Sequence, residues 1–296
     1  MMTPGVDPCG DEIHVWWSAL DAPGWRAASE RTLNPDERLR ADRYRFEADR
    51  RRFVARRALL RLLLSRYTGI APAELEFSYG HAGKPELARR LGPADIRFNA
   101  SHSSGLALFV IARGRRVGVD VETLRPLPDL DEVARACLTA HEYATLQSLP
   151  PNRRNGAFLT AWTLKEAFVK ATGDGLTLSP ERIEVTFDPD GAATLSAVDG
   201  NRHAAAWSLR TLPTGRAHAG AVAVERRIGR LVWRRFAPWD GDRAEPALLG
   251  GADLLHDPAV LLDTAHGALE RSIDLGKGEM HAGRRVAASR TREDQP

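Results

Sequence analysis

The chain has 296 residues, 43% of them hydrophobic, which is enough for one large or two small domains with a buried core. The net charge of +3 and the isoelectric point near 9.1 indicate only a general preference for anionic partners. No stretch approaches the roughly 20 apolar residues that span a bilayer, and no basic segment followed by an apolar run opens the chain. Cys9 and Cys137 lack a CxxC partner, so neither a disulfide framework nor a cysteine zinc site is indicated. We therefore expect a cytoplasmic protein with no membrane partner.

The first part of the chain predicts strands around two helices. Residues 34–37, Asn-Pro-Asp-Glu, match a helix start with an N-cap, a proline at the first position and acids in the first turn. Aliphatic residues recur at helical spacing over residues 49–67 among many arginines, which predicts an amphipathic helix ending near Gly69. Strand patterns are found at residues 12–17, 75–79, 97–99, 106–112 and 117–122.

The second part shows a similar order of elements, with helices followed by strands. Helical patterns cover residues 130–136, 139–147 and 152–172, and β-rich patterns follow at 183–187, 192–197, 204–211 and 218–225. This order predicts the α+β class with two similar halves rather than strict βαβ alternation. We predict an N-terminal half at 1–116, a C-terminal half at 117–227, and an appendage at 228–296. The appendage is expected to be partly disordered, with one helix at 258–273.

Two carboxylates share one face of a predicted strand. Asp120 and Glu122 are two residues apart, so both side chains emerge on one side while Val119 and Val121 point into a core. Acids on a solvated edge strand are the common alternative for such a pair. The valines and the preceding Gly118 indicate a packed strand instead, which makes the two acids a candidate metal site.

A third carboxylate lies on a helix stripe. Trp162, Glu166 and Lys170 are four residues apart and share one face, with Lys165 beside Glu166. An ordinary surface ion pair, worth roughly 0.3–0.5 kcal/mol, is the alternative. Apolar neighbours cover most of this helix, and a buried Glu needs a cation or it becomes protonated. Because Mg²⁺ combines a few carboxylates with water and phosphate oxygens, the set suggests a site that handles a diphosphate.

Two further polar segments could supply phosphate contacts. His102 lies in the polar segment 99–104 between predicted strands, where an incidental role in a turn is the alternative. Beside a phosphate, His102 would donate to an oxygen, and Ser101 or Ser103 could add donors. Lys84 lies in a glycine–proline turn, where most lysines are simply solvated.

Together these segments resemble the Sfp-type 4′-phosphopantetheinyl transferase family. The family pattern is Gly-x-Asp-x-Glu, followed by Trp-x-x-Lys-Glu-Ala-x-x-Lys-x-x-Gly-x-Gly-Leu. The matching residues are Gly118, Asp120, Glu122, Trp162, Lys165, Glu166, Ala167, Lys170, Gly173, Gly175 and Leu176. An Asn-x-Ser-His-Ser segment at 99–103 and Gly-Lys-Pro at 83–85 also match, and the resemblance covers residues 33–225.

The resemblance implies an enzyme that transfers the phosphopantetheine arm of coenzyme A to a serine of an apo acyl or peptidyl carrier protein. The released product would be adenosine 3′,5′-bisphosphate, as for a holo-[acyl-carrier-protein] synthase. The implied fold is a pseudo-twofold pair of α/β halves around a cofactor cleft, and a monomer is expected. Which carrier protein is used stays open.

The resemblance also assigns roles to individual residues. Asp120, Glu122 and Glu166 would hold Mg²⁺, and Glu166 would be the base for the carrier serine. Lys170 would act with it in catalysis and bind phosphate. The full set expected to bind the cofactor is Arg40, Arg56, Lys84, Ser101, His102, Lys165 and Lys170.

Two other functions are compatible with clustered acids. A Mg²⁺-dependent nuclease can also start from a strand-borne DxE, although it needs further aspartates in later motifs. The other alternative is a non-catalytic module that binds CoA or a nucleotide, with structural acids. We expect no nucleic-acid partner.

Overall fold

The structure is a computed structural model that describes residues 10–22, 32–80, 83–88, 95–173, 178–187, 192–198, 202–236 and 248–249, with residues 8, 25 and 175. Five helices lie in these ranges: α1 (Pro35–Ala41), α2 (Glu47–Thr68), α3 (Leu130–Cys137), α4 (Ala140–Ser148) and α5 (Pro151–Thr172). The strands are β1 (Glu12–Ala19), β2 (Phe77–Tyr79), β3 (Pro85–Leu87), β4 (Ile96–Ser103), β5 (Leu106–Arg113), β6 (Val117–Thr123), β7 (Ile183–Phe187), β8 (Ala192–Val198), β9 (Trp207–Thr211), β10 (His218–Glu225), β11 (Arg230–Phe236) and β12 (Leu248–Leu249).

The longer strands form two five-stranded sheets. The first has the order β12-β11-β1-β5-β4, the second has the order β6-β10-β9-β8-β7, and β2 pairs with β3. In each sheet the first strand of the half runs antiparallel to the second strand of a hairpin, β1 with β5 and β6 with β10. The same strand–helix–hairpin order thus occurs twice.

Three hydrophobic cores hold these layers together. One lies between α2 and the first sheet, and a second lies between α3–α5 and the second sheet. The third lies between the two sheets and consists of side chains from β1, β5, β6 and β10. The order of layers is therefore helix, sheet, sheet, helix, which confirms the predicted α+β class with two similar halves.

The helix ends follow the local sequence. The side chain of Asn34 accepts a hydrogen bond from the backbone of Glu37 at 2.9 Å, and the Glu37 side chain returns to the Asn34 backbone, so the predicted start of α1 is confirmed. Gly69 and Gly173 adopt left-handed φ angles of 72° and 82° after α2 and α5, as expected for glycine caps. Within the described ranges, no helix has the length and apolar character required to cross a membrane.

The polar segment 99–104 was expected between strands, but most of it belongs to β4. The strand runs from Ile96 to Ser103 because its backbone pairs with β5 over this whole range, and its alternate polar side chains bond to β6. Residues 204–206 form part of a short 3₁₀ turn rather than the start of β9. β3 was not predicted, since three residues beginning with a proline give no strand pattern.

The first segment of the predicted appendage pairs with the N-terminal half. β11 runs parallel to β1, with Glu12 opposite Arg230 and Trp17 opposite Arg235. Phe236 is fully buried. This stretch is therefore a strand of the first sheet, while the predicted helix at 258–273 and the disordered end lie outside the described residues. The domain boundaries stay predictions.

Candidate active site

β6 presents its acids to α5 because the two backbones are in direct contact. A Cβ atom at Gly118 would lie 2.1 Å from the carbonyl oxygen of Ala167 and 2.5 Å from the amide of Ala171, so only glycine fits. Val119 and Val121 lie on the other face, in the core between the sheets, as predicted. Alternation along the strand then places Asp120 and Glu122 beside α5. The residues opposite Asp120 and Glu122 on β10 are the small Ala221 and Ala219.

Lys170 pairs with one of the three predicted acids and feels the charge of the other two. Its Nζ lies 2.5 Å from Asp120 Oδ1 and 3.2 Å from Ser101 Oγ. Burial would lower the pKa of Lys170, but the carboxylates of Asp120, Glu166 and Glu122 outweigh burial and raise the pKa. One ammonium therefore interacts with three carboxylates, which leaves an excess of negative charge.

Glu166 has the properties of a proton acceptor. Burial raises the pKa of its carboxyl, and the charge of Asp120 raises it further, whereas Lys170 acts in the opposite direction. A carboxylate with a raised pKa is a stronger base than a solvated one.

One buried oxygen in this group has no protein partner in the described part of the chain. Asp120 is 2% exposed, its Oδ1 accepts from Ser101 and Lys170, and its Oδ2 accepts no hydrogen bond there. An unpaired buried carboxylate oxygen is costly and fits a hard cation such as Mg²⁺. Across the described ranges, no three acid, histidine or cysteine side chains are already arranged to coordinate a metal. The ligand set of Asp120, Glu122 and Glu166 therefore stays a prediction.

Alternate polar side chains of β4 bond to the edge of β6. Asn99 Oδ1 accepts from the amide of Val119 at 3.0 Å, and Ser103 Oγ accepts from the amide of Thr123 at 3.1 Å. Ser101 donates to Asp120 Oδ1 at 2.8 Å. The hydroxyl hydrogen of Ser101 is thus directed to Asp120, and its contact with a phosphate stays a prediction. The sequence analysis missed the role of Asn99, although the polar period of two in segment 99–103 was a signal for it.

His102 points to the opposite side of β4, toward α2. Burial, together with the charges of Arg56, Lys170 and Arg52, lowers its pKa to about 4. A neutral imidazole beside these basic side chains can donate a hydrogen bond to a phosphate oxygen. Arg52 was missed, although its spacing of four from Arg56 on a predicted helix placed both on one face. Arg52 also makes a bidentate contact with Asp21, at 2.8 and 2.7 Å.

The two predicted arginines of the N-terminal half meet at one aromatic ring. The guanidinium of Arg40 lies 5.4 Å and that of Arg56 lies 5.8 Å from the centroid of Phe53. Arg56 therefore links the His102 region to α1, where Arg40 is exposed. Their binding of the cofactor stays a prediction.

Lys84 does not belong with these arginines. Its Nζ donates to the carbonyl oxygens of Val117 at 3.0 Å and Ala171 at 3.3 Å. Burial lowers its pKa, Glu86 opposes this and Arg97 and Arg116 add to it, with a resulting pKa of about 8. The ammonium of Lys84 thus joins the start of β6 to the end of α5, and its binding of the cofactor stays a prediction.

Lys165 lies on the far side of α5 from Lys170. It is 1% exposed, and its Nζ donates to Glu142 Oε2 at 2.5 Å, Cys137 O at 2.9 Å and Pro180 O at 3.0 Å. An ammonium has three donors, and all three are used. These three contacts indicate a structural role for Lys165, and its binding of the cofactor stays a prediction.

Known proteins resemble this chain over both halves. A family model for the 4′-phosphopantetheinyl transferase superfamily matches residues 116–223, and a model for the N-terminal part of 4′-phosphopantetheinyl transferases matches residues 17–113. The 4′-phosphopantetheinyl transferase HetI of Nostoc is 39% identical over 222 residues, which is 75% of this chain and 91% of that protein. The Sfp transferase of Bacillus subtilis is 26% identical over 192 residues, 64% of this chain and 83% of that protein.

These matches cover the strand with Asp120 and Glu122, the helix with Glu166 and Lys170, and β4 with His102. The sequence motifs that contain these residues lie within the ranges that the two family models match. The chain belongs to the 4′-phosphopantetheinyl transferase superfamily.

Proposed function

We propose that the chain transfers the 4′-phosphopantetheine group of coenzyme A to a serine hydroxyl of an apo acyl or peptidyl carrier protein. The reaction is Mg²⁺-dependent, releases adenosine 3′,5′-bisphosphate and is of the holo-[acyl-carrier-protein] synthase type. The observation that carries this proposal is the buried Asp120, whose Oδ1 accepts from Lys170 and whose Oδ2 is unpaired among the described residues.

Different residues of the candidate active site would bind the metal and the phosphates of a diphosphate ester. Asp120, Glu122 and Glu166 would hold Mg²⁺, which would neutralise charge on the diphosphate. Lys170 lies between these acids and Ser101, where its ammonium can contact a phosphate oxygen. His102, with the charges of Arg52 and Arg56 nearby, provides the positive region for the nucleotide phosphates.

The transfer step needs one proton acceptor. The carrier serine oxygen forms a bond to the phosphorus that bears pantetheine, and the bond from that phosphorus to the bridging oxygen breaks. Adenosine 3′,5′-bisphosphate leaves with the bond's electron pair. The serine proton passes to Glu166, directly or through a water; in the metal-free protein burial raises the pKa of this carboxyl, which favours its taking up a proton.

The direct test is a mass measurement on an apo carrier protein. Incubation with CoA, Mg²⁺ and the wild-type chain should add one phosphopantetheine group to the carrier. A carrier with its serine replaced by alanine should stay unmodified, as should the wild-type carrier in the presence of a chelator. DNA and RNA are incubated in parallel. Degradation of either without carrier modification would favour the nuclease alternative, and CoA binding without transfer would favour the non-catalytic one.

The proposal includes a single-chain enzyme, since both sheets that share the central hydrophobic core come from one chain. Sedimentation at concentrations used for the assay should give the mass of a monomer. The cytoplasmic location and the absence of a nucleic-acid partner stay predictions.

A further inference from the structure

Two serines of β4 contact the two acids of β6 one by one. β4 is the edge strand of the first sheet, β6 is an edge strand of the second, and the two lie side by side. Ser101 Oγ donates to Asp120 Oδ1 at 2.8 Å, and two residues further along Ser103 Oγ donates to Glu122 Oε2 at 3.4 Å. Each of these two proposed metal ligands therefore has a serine hydroxyl from the other sheet on one of its oxygens.

The direction of the hydrogen bond from Ser103 follows from its other partner. Its Oγ accepts from the amide of Thr123 at 3.1 Å and lies 3.1 Å from Thr123 Oγ1. A hydroxyl has one hydrogen and can accept twice, whereas an ionised carboxylate can only accept. The three contacts are satisfied together only when the Thr123 hydroxyl donates to Ser103 and Ser103 donates to Glu122. The hydroxyl hydrogen of Ser103 is therefore directed to the acid.

The backbone of Ser103 is held by segments from both halves of the chain. The turn that follows it has left-handed φ angles of 42° at Ser104 and 87° at Gly105, and the carbonyl oxygen of Gly105 accepts from the Leu20 amide at 2.6 Å. From the second sheet, the imidazole of His218 on β10 hydrogen-bonds to the backbone of Ser103. A hydroxyl on a backbone held in this way can restrain a flexible side chain that it contacts.

Glu122 has more need of such a restraint than Asp120. Asp120 is 2% exposed, and its Oδ1 accepts from Lys170 as well as from Ser101. Glu122 lies near the end of β6, where it is half-buried, and its side chain has one more rotatable bond. Ordering a flexible carboxylate costs conformational entropy, and a hydrogen bond that orients the carboxylate before the metal arrives lowers this cost.

The same hydrogen bonds bear on which cation fits. A carboxylate with one oxygen bonded to the protein binds a cation most readily through its other oxygen, which for Asp120 is the Oδ2 that accepts no hydrogen bond from the described residues. Mg²⁺ requires a compact octahedral shell, with few carboxylates and several waters. Ca²⁺ takes more oxygens and readily binds both oxygens of one carboxylate. Carboxylates restricted to one oxygen each therefore suit Mg²⁺ better than Ca²⁺.

We infer that Ser101 and Ser103 are positioning residues that restrict Asp120 and Glu122 to one metal-binding oxygen each, and that they thereby favour Mg²⁺ over Ca²⁺. The inference rests on the proposed function for the identity of the metal ligands. The serines act through the two acids and do not touch the metal.

The test measures cation binding to the full chain without CoA or carrier. Bound Mn²⁺ is followed by electron paramagnetic resonance, and its displacement by Mg²⁺ and by Ca²⁺ gives the two affinities. Ser103→Ala should weaken Mg²⁺ binding about tenfold and Ca²⁺ binding by less, so that the preference for Mg²⁺ falls. Ser101→Ala should lower the preference by a smaller factor, because Lys170 still bonds to Asp120 Oδ1.

Two further variants serve as controls. Ser103→Thr keeps the hydroxyl and should keep the wild-type preference. Ser148→Ala removes an exposed serine hydroxyl on α4, which donates to the carbonyl oxygen of Thr145 at 2.7 Å, and should also bind cations like the wild type. Thermal unfolding verifies that every variant is folded, and transfer to the carrier is measured separately by carrier mass.

The outcomes separate this inference from the proposed function. Wild-type transfer, with a cation preference that Ser103→Ala leaves unchanged, would overturn the role of the serines and leave the function standing. Absence of transfer, with a preference that falls in Ser103→Ala and returns in Ser103→Thr, would overturn the function and leave that role standing. Weaker metal-free CoA binding by Ser103→Ala at an unchanged cation preference would show that the hydroxyl contacts a phosphate instead. An equal fall in Ser148→Ala, or a wild type that binds no Mn²⁺, would also overturn the inference.

Discussion

Lys170 Nζ and Asp120 Oδ1 lie 2.5 Å apart where α5 crosses β6, and Glu166 and Glu122 act on the same ammonium. Asp120→Asn keeps the shape of the side chain and removes its charge. We expect the rate of transfer to the carrier to fall more than about 100-fold, because the Asp120 carboxylate is both a proposed metal ligand and the ion-pair partner of Lys170. The rate is measured by carrier mass, with a thermal unfolding curve as the control for folding. A near-normal rate in Asp120→Asn would refute the metal assignment.

The contact at Gly118 predicts a loss of stability. In Gly118→Ala the new methyl would collide with the backbone of α5 at Ala167, which should lower the free energy of unfolding by about 1–3 kcal/mol or more. Gly156→Ala is the matched control, because a Cβ at Gly156 in the same helix meets nothing within 4 Å. That change should raise stability by about 0.5–1 kcal/mol. Urea unfolding of both variants checks the pair, and equal effects would contradict the close approach.

The position of Lys165 predicts a structural rather than a ligand-binding role. Lys165→Met leaves the carboxylate of Glu142 buried without its ammonium, which should cost about 3–5 kcal/mol of stability. The fraction that stays folded should keep the wild-type KM for CoA. Urea unfolding and initial rates measure the two quantities. A raised KM for CoA at unchanged stability would show instead that Lys165 contributes to binding of the cofactor.

Lys84 should titrate far below an ordinary lysine. The sequence contains only four lysines, so ¹³C-methylated side chains give few NMR signals, and one that Lys84→Met removes should titrate at about 8. The unfolded chain keeps a lysine pKa near 10.4 and binds more protons between pH about 8 and 10.4. Stability of the wild type relative to Lys84→Met should therefore rise with pH across this window. A Lys84 signal that titrates above 10 would contradict the buried contact with Val117 and Ala171.

The hydrogen bond from the Val119 amide to Asn99 Oδ1 predicts that this amide is protected from hydrogen exchange. Asn99→Ala leaves the buried amide of Val119 without an acceptor, at a cost of about 1–3 kcal/mol. Hydrogen exchange at that amide should become faster, while Ser78→Ala on the exposed strand β2 should leave it unchanged. Unaltered exchange in Asn99→Ala would show that the side chain does not support β6.

The sequence was sufficient where a regular period determines which side chains share a face. A period of two placed Asp120 and Glu122 together, and a period of four placed Glu166 and Lys170 together. These local rules predicted which site residues share a face of one strand or one helix, and the glycine caps predicted where the helices end.

Contacts between elements distant in the chain were not predictable in this way. Lys165 is adjacent to Glu166 in sequence but points about 100° away around the helix, where it meets Glu142. Asn99 and Lys84 bond to the backbone of strands and helices whose proximity depends on how the two sheets pack. The exposed Leu39 reverses the pattern from which buried faces are inferred.

In each half a strand packs under a long helix, yet the side chains between the strand and the helix differ in character. In the N-terminal half Trp16 of β1 is fully buried and donates to the hydroxyl of Tyr67 on α2 at 2.8 Å. In the C-terminal half Asp120 of β6 is 2% exposed, and its Oδ1 accepts from the ammonium of Lys170 on α5. The same order of layers thus encloses an aromatic ring in one half and an ion pair in the other, and of these two contacts the ion pair is the one that offers charged groups to a substrate.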